Sequence, residues 1–194
     1  MTEREKMEQG LWYDANNDKQ LLSERLDVEE LCFLLNQTNP KDVKRKSEIL
    51  KQLIPHIGSD ITLLTPFYTD YGYNSYIGDH TFINRNAYLM DCATITIGKN
   101  CFIGPNFGAY TANHALVADE RNAGLEIALP ITIGDGVWIG GDVTILPGVT
   151  IGRGSVIGAR STVTKDIPEN VIAVGNPCHV IRSITADDSI ISKE

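Results

Sequence analysis

Apolar residues recur along this chain with two different periods, and the change of period divides it. The first third has helical spacing. Thr2 and Glu5 form a capping-box signature ahead of a short helix that Gly10 is placed to end. Leu21, Leu22, Leu26, Leu31, Leu34 and Leu35 predict a second helix, with Asp18 as its cap and Asn39-Pro40 as its stop. A third helix is expected from about Lys41 to Ile54, with Ile49, Leu50, Leu53 and Ile54 apolar, and Pro55 blocks its continuation. Its cluster of Lys41, Lys44, Arg45 and Lys46 reads as a solvated face.

From Ile77 the pattern changes to a repeat of six residues. An aliphatic residue opens each unit: Ile77, Ile83, Leu89, then Ile97 and Ile103 after a two-residue slip at Ile95-Thr96. After one interruption the series resumes at Ile133, Ile139, Ile145, Ile151, Ile157 and Val163. A period of six is neither helical nor alternating, and repetition of this kind marks a solenoid. Each unit supplies a short strand and a corner, its aliphatic side chain stacking on the equivalent one in the next coil of a parallel β-helix. Gly or Asn near a corner permits backbone conformations that branched residues resist.

Composition narrows the class. The chain has 194 residues, 42% of them hydrophobic and 22% charged, which is ordinary globular usage. No apolar run reaches the roughly 18 residues of a membrane span, and the charged N-terminus offers no secretory signal. A net charge of −8 argues against nucleic-acid or anionic-membrane partners, while leaving room for a local basic pocket. Cys32, Cys92, Cys101 and Cys178 form no C-x-x-C pair and have no zinc-finger spacing to histidine. Free thiols in a reducing cytoplasm are therefore expected.

Candidate chemistry comes from what breaks the repeat. Gly134, Gly136 and Gly140, like Gly152, Gly154 and Gly158, superficially resemble dinucleotide loops. Each set has one residue too many, no helix pattern follows, and the spacing recurs because the repeat does. The interruption between about Tyr110 and Pro130 is different, because long excursions from a regular scaffold often carry function. His114 stands at its root. His56 and His80 read as structural or surface residues.

The hexads resemble those of the hexapeptide-repeat acyltransferases, which fold as left-handed β-helices of triangular section. The insertion residues Thr111-Ala112-Asn113-His114, Glu120-Arg121-Asn122 and Gly124 are similar to the maltose/galactoside O-acetyltransferase branch. So are Gly10-Leu11-Trp12-Tyr13-Asp14-Ala15, the run ITIGDGVWIGG ending at Gly141, VTKDIPENV at 163–171 and VGNPCHVIR at 174–182. The resemblance covers about residues 7 to 183. It implies an acetyl-CoA-dependent O-acetyltransferase, forming homotrimers with sites between prisms and acting on a hydroxyl of a small, sugar-like acceptor without a metal.

By position, the resemblance makes His114 the general base, a role suited to an imidazole whose ordinary pKa is about 6.5. Asn84 and the Gly141 N–H would support the transition state. Gly104, Gly141 and Ala159 would line the pantetheine path of coenzyme A, together with Asn84. Thr164 and Lys165 would lie near its nucleotide end, and His179 and Arg182 would meet phosphate. Asp14, Asp70, Phe82, Asp91, Cys92, Glu126 and Trp138 map to the acceptor side, with Tyr13 near Asp14. Galactoside enzymes carry a second acid after Asp91, where this chain has Cys92.

The expected organisation is a helical segment over 1–56, a β-helix over 57–183 with a loop at 110–130, and a tail over 184–194. Two other functions fit the scaffold: O-acetylation of an antibiotic or other xenobiotic, and a non-catalytic assembly role. A zinc hydratase on the same scaffold requires two histidines five residues apart, and Asp119 occupies that position after His114.

Overall fold

The structure, a computed structural model, describes residues 1–191. The last three residues of the expected tail lie outside the described residues. Helix α1 spans Glu3–Glu8, with the Thr2–Glu5 capping box formed as expected. Helix α2 spans Lys19–Gln37, and the Asp18 side chain accepts the Leu21 N–H. Helix α3 spans Val43–Leu53, capped by Asp42 and thus starting two residues later than the spacing suggests. On α2 the buried stripe is Leu21, Val28, Cys32 and Leu35. Leu22 and Leu26, expected on that stripe, face outward.

The remaining chain winds into a parallel β-helix with three faces. Face one stacks the strands His56–Ile57, Ser75–Ile77, Ile95–Ile97, Ile131–Ile133 and Thr150–Ile151. Face two stacks Thr62–Leu63, Phe82–Ile83, Phe102–Ile103, Trp138–Ile139, Val156–Ile157 and Val171–Gly175, closed by the antiparallel strand Cys178–Ser183. Face three stacks Phe67–Thr69, Ala87–Met90, Gly108–Tyr110, Thr144–Ile145 and Thr162–Val163. The stack therefore opens at His56, earlier than the hexads become legible at Ile77.

Register explains why the repeat is six residues long. Ile77 pairs with Ile97, Ile83 with Ile103, Ile133 with Ile151 and Ile139 with Ile157, so like residues stack through the core. These isoleucines are almost wholly buried, and each is worth roughly 1.5–3 kcal/mol when removed from water. The corners place Asn86, Asn100, Asn106, Asp142 and Arg160 in the left-handed region, so side chains other than Gly and Asn also serve there. At Gly104 the coils approach so closely that a Cβ would stand 2.6 Å from the Gly140 backbone. All four cysteines are buried and free.

The helices close the open end of the prism. The Asn36 side chain exchanges two hydrogen bonds with the Phe67 backbone, at 2.9 and 3.0 Å, and so completes an unpaired strand edge. Gly72 has φ +70, and a Cβ there would stand 1.9 Å from the Leu53 carbonyl oxygen. Glycine is thus required where α3 meets the first coil. Among the described residues, no helix is long and apolar enough to cross a membrane.

One corner departs from the rule of six. Passing from face three to face one, Thr69 to Ile77 and Leu89 to Ile97 each take eight residues, and Ala109 to Ile133 takes twenty-four. The other two corners keep six throughout. Polar side chains from the next coil hold the shorter excursions. Asp91 gathers residues 69 to 75, and the Thr111 hydroxyl donates to Met90 O at 2.6 Å while accepting the Ala93 N–H at 3.0 Å.

Candidate active site

The long excursion is a hairpin rather than a loose loop. Its strands run antiparallel, Ala112–His114 pairing with Leu125–Ala128, and helix Ala118–Asn122 lies between them. The N-terminal pair Tyr13–Asp14 adds a third strand on the other side of Leu125–Ala128. In chain order these strands are β1 (Tyr13–Asp14), β2 (Ala112–His114) and β3 (Leu125–Ala128).

A cleft of about 490 Å³ opens where this small sheet meets the lengthened corner. Its walls carry Arg25, Asp70, Cys92, Tyr110, His114 and Glu126, with Ala15, Asn16, Met90 and Ala112. His114 is half-exposed, and its Nε2 lies 3.9 Å from Glu126 Oε2. The Tyr13 hydroxyl donates to Glu126 Oε1. Asp70 accepts from the Tyr88 hydroxyl and, at 3.7 Å, from the Cys92 thiol. Burial pushes the Asp70 carboxyl above the usual carboxylate range, against the opposing pull of Tyr88 and Arg25. Burial also drives the Cys92 thiol far upward, which makes it a weak donor and an unreactive nucleophile.

Arg25 escaped the sequence reading. It sits on α2, where its Nη1 donates to the Tyr71 hydroxyl and its Nη2 to the Ala15 carbonyl, both at 2.7 Å. No motif surrounds it, and its partner Tyr71 is 46 residues away, so only the fold reveals it. Tyr88 and Tyr110 also went unread; they stand edge to face with centroids 5.9 Å apart.

The expected acceptor set is only partly assembled in one chain. Asp70, Cys92 and Glu126 line the cleft with His114. Asp91 does not: it is wholly buried beneath it, its two oxygens accepting from Thr69, Asp70, Tyr71 and Ser75. Its expected place at the acceptor is corrected to a support under the corner. Tyr13 is likewise fully buried, and the Asp14 carboxylate is engaged by Asn16 and Asn17 of its own turn. Phe82 and Trp138 lie on face two, in a ladder with Phe102; Phe102 and Trp138 are 59% and 56% exposed.

The expected cofactor residues follow a different edge. Asn84, Gly104, Gly141 and Ala159 occupy successive coils at the corner between faces two and three. The Asn84 Oδ1 accepts the Arg85 N–H at 2.8 Å. A Cβ on Gly141 would meet nothing closer than 3.5 Å, so the fold itself does not demand glycine there. Thr164 and Lys165 are exposed just beyond face three, and His179 is exposed on the final strand. Arg182 is held by Asp188 through two hydrogen bonds of 2.7 and 2.8 Å. A phosphate there would have to compete with a carboxylate. Within one chain, His114 and the Asn84–Gly141 edge thus stand on opposite sides of face three. Among the described residues, no three His, Cys, Asp or Glu side chains converge as a metal site requires.

Comparison with known proteins places this arrangement. Residues 6–58 match the maltose acetyltransferase hexapeptide capping motif. Residues 130–165 match the bacterial transferase hexapeptide, and residues 94–109 the hexapeptide repeat of succinyl-transferase. A Staphylococcus aureus (strain Mu50) protein whose name assigns it to the acetyltransferases is 52% identical over 187 residues, covering 96% of this chain and 94% of its own. The crystal structure of a maltose O-acetyltransferase from Clostridium difficile 630 superposes with a TM-score of 0.93 at 46% identity, over 95% of this chain and 98% of that one. A galactoside acetyltransferase in complex with coenzyme A gives 0.92 at 39% identity, over 97% and 94%. With the capping segment, the hexapeptide stack and the full-length likeness together, this chain belongs to the hexapeptide-repeat acetyltransferases that carry the maltose acetyltransferase motif.

Proposed function

We propose that the protein transfers the acetyl group of acetyl coenzyme A to a hydroxyl of a small sugar-like acceptor, with His114 as general base. The observation that carries this reading is the cleft at the lengthened corner. It gathers a solvent-reaching imidazole, two carboxyl groups and a guanidinium around a volume suited to a small polyol. Of these, Asp70 and Arg25 supply the hydrogen-bonding groups that would hold sugar hydroxyls in fixed orientation. Structures of this family, including the galactoside enzyme, contain coenzyme A, which supports the same donor here.

In the proposed step the acceptor hydroxyl gives its proton to the His114 imidazole as its oxygen attacks the thioester carbonyl carbon. The Gly141 N–H and Asn84 donate to the oxyanion that forms. Collapse expels the coenzyme A sulfur, which takes the proton back from the imidazolium and leaves as the thiol. No acyl-enzyme is needed, because the thioester is already activated. His114 and Gly141 lie on opposite sides of face three, so a complete site requires His114 of one protomer beside the Asn84–Gly141 edge of the next. A homotrimer meets that requirement. Thr164, Lys165, His179 and Arg182 would then take the nucleotide end of the donor.

The test is thiol release from acetyl coenzyme A over mono- and disaccharides, glycosides and hydroxylated antibiotics. Wild type is expected to turn over a sugar, and His114→Ala to lower kcat by about 10²–10⁴. Near-normal turnover in the folded mutant removes His114 from the chemistry. Turnover confined to antibiotics moves the protein to the xenobiotic class, and failure to bind acetyl coenzyme A leaves a structural solenoid.

A further inference from the structure

Tyr13, Glu126 and His114 are direct neighbours across the small antiparallel sheet. Tyr13 on β1 is paired with Glu126 on β3, and Glu126 in turn with His114 on β2. Directly opposed residues on neighbouring strands project from the same side of the sheet. The contacts confirm it: the Tyr13 hydroxyl donates to Glu126 Oε1, and Glu126 Oε2 lies 3.9 Å from His114 Nε2.

The three side chains differ in freedom. Tyr13 has no exposed surface and packs within a satellite core that includes Met7, Leu21 and Tyr71. Glu126 is 8% exposed. His114, by contrast, is half-exposed at the end of a strand that leaves the prism. Burial therefore decreases from the N-terminal strand to the imidazole. Among the described residues, Glu126 is the one acidic side chain within 4.0 Å of the His114 ring nitrogens. The other titratable groups around the cleft, Arg25, Asp70, Cys92 and Tyr110, come from other elements.

We infer that Glu126 is a positioning residue for His114, and that the N-terminal strand, through Tyr13, holds the Glu126 carboxylate in place. This inference rests on the reading of His114 as the base, and it assigns Glu126 to the histidine rather than to the acceptor. When the hydroxyl proton reaches the imidazole, positive charge develops beside a carboxylate that is already oriented, at little reorganisation cost. At 3.9 Å the contact is an ion-pair distance and not a hydrogen bond. Contacts of this kind tighten once substrate fills the site. The inference also gives the capping segment a part in the chemistry: Tyr13 reaches the base through a single intervening side chain.

The experiment compares wild type, Glu126→Gln, Tyr13→Phe and His114→Ala, with the double variant Glu126→Gln/His114→Ala. Thiol release is followed with acetyl coenzyme A and with maltose and methyl β-galactoside as acceptors. Glu126→Gln is expected to lower kcat at least about ten-fold, part of the roughly 10²–10⁴ that a positioned base supplies. Its acceptor KM should stay within about two-fold of wild type. Tyr13→Phe keeps the buried ring and should show the same pattern with a smaller loss. In the His114→Ala background, Glu126→Gln should change the residual rate by less than about two-fold, because groups acting as a unit are not additive.

A raised acceptor KM with unchanged kcat in Glu126→Gln overturns the inference and returns Glu126 to the acceptor. Independent, multiplying losses in the double variant also overturn it. Near-normal turnover in His114→Ala is a separate result that removes the base reading itself. Thermal unfolding of each variant identifies any loss caused by misfolding, and Tyr13→Phe remains informative if Glu126→Gln is unstable.

Discussion

The Asp91 carboxylate accepts the Tyr71 main-chain N–H at 2.8 Å, beneath the floor of the cleft and out of reach of solvent. Through Thr69, Asp70 and Ser75 the same carboxylate gathers the whole eight-residue excursion. Replacing it with Ala leaves several buried donors without an acceptor, each costing about 1–3 kcal/mol. Asp91→Ala is therefore expected to destabilise the protein by at least about 2 kcal/mol, measured by urea unfolding. An unchanged midpoint would show that the excursion holds its shape without this carboxylate.

Asp70 lines the cleft itself. Burial raises its carboxyl in the folded protein above its ordinary value, the effects of Tyr88 and Arg25 notwithstanding. The folded state therefore holds this proton more tightly than the unfolded chain. The associated stabilisation is complete below the ordinary carboxylate range and is lost as pH rises through the folded value. At neutral pH, Asp70→Asn is expected to raise the melting temperature, and the gain should shrink on acidification. A constant difference between the two proteins across that pH range would exclude a buried charge at Asp70.

Gly141 separates fold from function. A Cβ there meets only ordinary contacts, the nearest at 3.5 Å from Pro105. Gly141→Ala should change stability by no more than about 0.5 kcal/mol. If the Gly141 N–H faces the reacting carbonyl, the added methyl displaces the thioester and lowers kcat by about 10²-fold, the effect of a 1 Å misplacement. Normal turnover at normal stability would take Gly141 out of the site.

Arg182 tests the nucleotide end of the donor. Its guanidinium already holds a bidentate carboxylate, Asp188, in the geometry that phosphate also accepts. Arg182→Ala should weaken acetyl coenzyme A binding about ten-fold, a modest loss for a charged hydrogen bond because the arginine must first leave Asp188. Calorimetry with acetyl coenzyme A and with a truncated pantetheine thioester checks this. Equal losses for both compounds would remove Arg182 from phosphate recognition.

Much of the fold was legible because its rules are local or periodic. The isoleucines from Ile77 to Ile157 announce the stack, and Thr2–Glu5 and Asp18 announce two helix starts, because each signal lies within a few residues. The first coil was obscured, since polar Thr69 holds the position that pairs with Leu89, and eight residues rather than six separate it from Ile77. A two-residue strand such as Tyr13–Asp14 is too short for any periodicity to show. Leu22 and Leu26 misled because solvent exposure on a helix depends on what covers it, and α1 and the prism leave that flank open. The site divides in the same way. His114 stood out at the only long break in the repeat. Arg25 and the support role of Asp91 could not be read, because both depend on partners brought close only by coiling.

Every change of coil length falls at a single corner, so the prism has one edge where chain can be added without disturbing its ladder. Chain added there changes the walls of the cleft while the edge bearing Asn84, Gly104 and Gly141 keeps its six-residue spacing. The cleft and the edge bearing Asn84, Gly104 and Gly141 thus lie at different corners of the prism. A designer altering the cleft would vary Asp70, Cys92, Tyr110 and Ala112, which this corner contributes to its walls, and leave the stacked isoleucines untouched.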